Sequence, residues 1–122
     1  MTDEQKNTIK GYVTILDSNI PDNELTDFLI DTATDRVLLY LNRTEIPALL
    51  ERVIAQVIVS VYTRTESELA GEKSVASVID QGQEVRFHQR ASSFMSSAND
   101  EELFTGFEKL LAPYRRVHVI TS

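Results

Sequence analysis

Cysteine is absent from this 122-residue chain, while histidine occurs twice, proline three times and glycine four times. Without cysteine there is no disulfide, no thiol nucleophile and no thiolate zinc or iron-sulfur site. Gly11, Gly71, Gly82 and Gly106 stand far apart, so no glycine-rich phosphate loop can be built from them. Neither the G-x-S-x-G elbow nor HExxH occurs, and His88 and His118 have no metal-ligand spacing. Positive charge is also scarce. Twelve basic against 19 acidic residues give a net charge of -7, the wrong sign for coating a phosphate backbone or an anionic membrane. No apolar run approaches the roughly 18 residues of a membrane span, and MTDEQKNTIK is too polar for a secretory signal. The expectation is a soluble protein that starts in a cytoplasm.

What is present is an ordinary globular composition, 42% apolar and 25% charged, with length for one hydrophobic core. The charge is uneven. Residues 1–35 hold Asp3, Glu4, Asp17, Asp22, Glu24, Asp27, Asp31 and Asp35 against only Lys6 and Lys10, and the remainder is nearly neutral.

Ile9, Tyr12, Val13 and Leu16 are spaced for one or two turns of amphipathic helix, ending at the turn-rich DSNIPDN. Asp22 or Asn23 can cap a second helix, predicted from about Asn23 to Asn42. Projected at about 100° per residue, Leu25, Leu29, Ile30, Ala33, Val37, Tyr40 and Leu41 form its core-facing stripe. Glu24, Asp27, Asp31 and Asp35 make an acidic line on the opposite side, where like charges four apart repel by a few tenths of a kcal/mol per pair. Phe28, Leu38 and Leu39 flank that line and are expected to be exposed, as candidates for a subunit interface. A third helix, from Pro47 to about Arg64, is apolar on all sides except the strip Arg52, Gln56, Ser60 and Thr63.

Residues 65–98 read as a projecting irregular loop. Within it, Val75 to Ile79 and Val85 to Gln89 flank Asp80-Gln81-Gly82-Gln83 in the pattern of a β-hairpin. A last helix is predicted after a cap at Ser97 or Asn99. Leu103, Phe104, Phe107, Leu110 and Leu111 share its apolar face, and Pro113 ends it. The remainder to Ile120 alternates and is β-prone without a local strand to pair with.

The fold class expected is therefore mainly α: a small bundle of three to four helices with a long hairpin-like loop and an extended C-terminal tail. A single domain spans residues 1–122, with the helical core over about 9–64 and 99–112, the loop over 65–98 and the tail over 113–122. No catalytic set assembles from these residues, and no cofactor is expected. The acidic line admits a solvated face or an electrostatic role in an assembly. A di-metal site would need Glu-x-x-His on facing helices, which is missing. Arg115-Arg116 alone is a weak nucleic-acid patch.

The order of these segments carries a resemblance. NELTDFLIDTATDRVLLYLNR is followed by EIPALLERVIAQVIVSVYTRTESE, a Ser/Gly-rich stretch, and a final helix running into LLAPYRRVHVI. With Leu111, Pro113, Tyr114, Arg115, Arg116 and Val117 as its most specific part, the chain resembles the head-tail connector (adaptor) family of long-tailed bacteriophages and prophages over roughly residues 9–120. Gly71 to Ala98 looks longer and more hairpin-like than compact members of that family.

The resemblance implies a non-enzymatic virion protein, assembled in the bacterial host cytoplasm. It would form a ring of about a dozen subunits that docks beneath the portal of the capsid. Such a ring extends the DNA channel and presents a surface for stopper or tail proteins, while DNA passes through without specific binding. Tyr114, Arg115, Arg116, Val117, His118, Val119 and Ile120 are then the candidate portal-binding or neighbour-binding segment, suited to strand addition onto another chain. Glu24, Asp27, Asp31 and Asp35 would be a channel or assembly face. The rival expectation is a small helical interaction module or dimeric, antitoxin-like regulator.

Overall fold

Thr2 opens the first helix by accepting a hydrogen bond from the Gln5 amide at 3.1 Å, so α1 runs over Asp3–Leu16. The computed structural model describes residues 1–72 and 80–115. Asn23 caps α2, Glu24–Leu41, in the same way through the Thr26 amide at 3.0 Å. At its other end Asn42 takes a left-handed conformation with φ 55°. The Arg43 amide reaches back to the Leu38 carbonyl and the Asn42 amide to that of Leu39, a Schellman closure. A 3-10 turn over Ala48–Leu50 follows Pro47 and leads into α3, Glu51–Glu72. Beyond it come α4, Asp80–Ser97, and two single-turn helices, α5 over Asp100–Leu103 and α6 over Glu108–Leu111. A 3-10 turn over Ala112–Tyr114 completes the described chain.

The third helix is the hub, packed by α1, α2 and α4. Ile54, Ala55, Val57 and Ile58 are fully buried in it, and its exposed side carries Arg52, Ser60 and Thr63, as the polar strip predicts. The expected stripe of α2 is likewise inside, with Leu29, Ile30, Ala33, Val37 and Leu41 wholly enclosed and Tyr40 half-buried. Buried residues from α1 through α6 form one hydrophobic cluster. The mainly helical class is borne out.

The predicted loop over 65–98 is not a loop where it is described. The third helix continues past Arg64 to Glu72, supported by an Arg64–Glu68 ion pair at 3.1 Å one turn apart. The Thr65 hydroxyl is buried but satisfied, donating to the Val61 carbonyl at 2.8 Å. Asp80-Gln81-Gly82-Gln83, read as a hairpin turn, is the start of α4, and the predicted strand Val85 to Gln89 lies inside that helix. Val75 to Ile79 falls outside the described residues. The reason is period. Phe87, Ala91, Met95 and Ala98 recur at helical spacing, and the Phe87 ring meets Tyr62 of α3 at 4.5 Å between centroids. That packing outweighs five residues of alternation. No strand occurs among the described residues.

The predicted last helix is interrupted. Asn99 does cap it, accepting from the Glu102 amide at 2.8 Å. However, Gly106 sits at φ 86°, outside helical space, and splits it into α5 and α6 around a turn at residues 104–107. Leu103, Phe104 and Leu111 remain buried, Phe107 is half-buried, and Leu110 is exposed.

Candidate functional site

The outward face of α2 and its C-terminal end gather the residues singled out from sequence. The acidic line is not the row of mutual repulsion expected, because α1 supplies counterions. Lys10 Nζ lies 2.7 Å from Asp27 Oδ1 and 3.2 Å from Asp22 Oδ1, and Lys6 Nζ lies 3.1 Å from Asp31 Oδ1. Lys6 and Lys10 are one turn apart on α1, as are Asp27 and Asp31 on α2, and antiparallel packing matches them pairwise. The lysine beside it holds the Asp27 carboxyl below its ordinary range against the opposing cost of desolvation. Hydrogen bonding to Asp27 and then Asp22 raises Lys10 correspondingly. Asp27 Oδ1 is itself cut off from solvent, with Lys10 as its ion-pair neighbour. Glu24 and Asp35 are exposed and make no ion pair among the described residues.

Phe28 and Leu39 are exposed to 42% and 80%, as their position beside the acids implies. Eleven residues separate them, close to three whole turns, so they share one face of α2. Leu38 is the correction: it is half-buried and packs against the core instead of standing exposed beside Leu39.

What surrounds that end is the start of the tail. The Arg43 guanidinium, through Nε, donates to the Tyr114 carbonyl. The Arg115 guanidinium stacks 4.9 Å from the centre of the Tyr40 ring, which in turn meets Phe104 at 5.1 Å. Tyr114 is half-buried against the core, so the tail is anchored at its base rather than projecting from residue 114. Arg116, Val117, His118, Val119 and Ile120 lie outside the described residues.

Sequence reasoning passed over Arg36. Its guanidinium donates to the Met95 carbonyl at 3.1 Å and to Asp100 Oδ1 at 3.0 Å, tying the last turn of α4 and the first of α5 to α2. These partners are 59 and 64 residues away, and no local pattern announces them. The lysine–aspartate matching, by contrast, was available in the equal spacings of the two helices.

Among the described residues no group of three or more His, Asp or Glu side chains is gathered to hold a metal ion, and no helix is long and apolar enough to cross a membrane. His88 is half-buried in α4. Comparison with protein-family models, curated proteins and solved structures finds no match to this chain.

Proposed function

We propose that this chain is a structural adaptor subunit of a phage head-tail connector, a non-enzymatic virion component that rings the portal and extends the channel through which DNA passes. The observation that carries the reading is the anchored base of the basic C-terminal segment. Arg43 and Tyr40 hold Tyr114 and Arg115 against the bundle, immediately before the basic and apolar sequence of residues 116–120. A segment delivered in this way suits strand addition onto a portal or neighbouring subunit.

A closed ring needs heterologous contacts, one face of a subunit against a different face of the next. Phe28 and Leu39, exposed on one side of α2, supply such a face. Glu24 and Asp35 beside them leave that side negative, and a negative ring would let DNA phosphates slide past instead of sticking. Unchanged DNA ejection from particles carrying Glu24→Gln and Asp35→Asn would remove the electrostatic part of this reading.

The purified chain, mixed with a phage portal protein and imaged by electron microscopy, is expected to add a ring of density beneath the portal. A stable dimer with no affinity for portal would instead mark a small helical interaction module.

A further inference from the structure

We infer that copies of this chain associate head to tail, with Ile15 and Arg52 of one copy seated in a groove at the C-terminal end of α2 of the next. The groove has a volume of about 470 Å³ and is lined by Asp35, Leu38, Leu39, Asn42 and Arg43. Leu39, 80% exposed, stands one turn from Asp35, a carboxylate with no ion pair among the described residues. Arg43 comes about two turns after Asp35 and is engaged with the Tyr114 carbonyl.

The matching surface is formed by α1 and α3. The Arg52 guanidinium rests over the Tyr12 ring, 5.4 Å from its centre, and has no carboxylate partner among the described residues. Stacking occupies the plane of the guanidinium and leaves its N–H edge free for a carboxylate. Ile15, one turn beyond Tyr12 on α1, is 79% exposed. These residues face away from α2. Lys6 and Lys10 turn toward Asp31 and Asp27, and Tyr12 follows Lys10 by about 200° around α1.

Charge decides both the occupant and the arrangement. A chain of net charge -7 repels its own copies except where an unpaired acid meets an unpaired cation, and Asp35 with Arg52 is such a match. Two α2 faces set together would instead crowd Glu24 and Asp35 of both copies, which disfavours a two-fold dimer through α2. With Arg52 at Asp35, Ile15 is the knob that meets Leu39. Each copy keeps one face of each kind open, so association continues to a closed ring or a filament and does not stop at two. The inference deepens the ring reading by supplying the second face that a ring requires. It is tested without portal, so its failure leaves portal docking to be judged separately.

The absence of cysteine makes the test clean. Chains carrying Ile15→Cys and chains carrying Leu39→Cys, mixed and mildly oxidised, should form a disulfide-linked dimer at least several-fold faster than either variant alone. Adding Arg52→Glu to the first chain should slow that reaction several-fold. Adding Asp35→Arg to the second should then restore it, a rescue that damage to the fold of either chain does not produce. A mixture no faster than the single variants means that the faces do not dock, and Leu39→Cys chains that link fastest to one another mean a two-fold contact; either result overturns the inference. So does a mixed reaction indifferent to Arg52→Glu. The unmodified chain gives an independent reading. Sedimentation at millimolar concentration should show species larger than a dimer, lost at about 1 M salt, where screening acts within about 3 Å. A chain monomeric throughout would also overturn it.

Discussion

Lys10 Nζ stands 2.7 Å from Asp27 Oδ1, joining the middle of α1 to the first turns of α2. Asp27 titrates below its ordinary 3.8 and Lys10 above its ordinary 10.5. The depressed acid contributes stability above pH 4 or so and loses it as pH falls through the lowered folded value. The raised lysine contributes below about pH 10.5 and loses it as pH rises through the folded value. Both side chains are partly exposed, so the pair contributes no more than about 1 kcal/mol between those limits. Denaturant unfolding across pH should show Asp27→Asn less stable than the parent by that order at pH 7, with the difference vanishing toward pH 2.

Arg36 is the stronger link, because its side chain is only 17% exposed and it satisfies a backbone carbonyl as well as a carboxylate. Removing it leaves the Met95 carbonyl without that donor. Arg36→Ala should cost about 1–3 kcal/mol, more than Asp27→Asn, measured as a lowered denaturation midpoint at unchanged m-value.

The contrast between Asp27 and Arg36 shows what could be read beforehand. Helix faces were legible because each buried stripe repeats over several turns, and the caps at Asn23 and Asn99 act within three residues. The stretch 80–97 was misread because Gly82 and a brief alternation at 84–88 resemble turn and strand, whereas Ala91 and Met95 reveal the helix only once Tyr62 is known to face Phe87. The break at Gly106 was hidden by an apolar spacing that a continuous helix would also have satisfied. Of the candidate surface, the exposure of Phe28 and Leu39 was legible. The grip of Arg43 on Tyr114 was not, since it links residues 71 apart.

Two glycines should respond to the same substitution with opposite sign. Gly11 lies within α1 and a methyl group there would meet nothing within 4 Å. Gly11→Ala should therefore stabilise by about 0.5–1 kcal/mol. Gly106 also has open space around it, but its φ of 86° strains any L side chain. Gly106→Ala should destabilise by about 1–2 kcal/mol, and paired thermal melts check both.

Surface and core apolar residues on the two central helices should separate folding from association. Ile58, fully buried in α3, should cost about 2–5 kcal/mol as Ile58→Ala. Leu39, 80% exposed, should change stability by less than about 0.5 kcal/mol as Leu39→Ser. If α2 carries the subunit contact, Leu39→Ser nonetheless lowers ring formation on portal, which sedimentation of the mixture would register.

The connector reading rests on the segment that follows Arg115, and removing residues 116–122 tests it while sparing the Tyr114 and Arg115 contacts that hold α2. Native mass spectrometry of portal mixed with the full chain, and separately with the chain ending at Arg115, is the direct measurement. The account predicts about a dozen full-length copies bound per portal ring, and none of the truncated chain although its circular dichroism and melting are retained. Truncated chain that still binds portal, or full-length chain that never does, would contradict it.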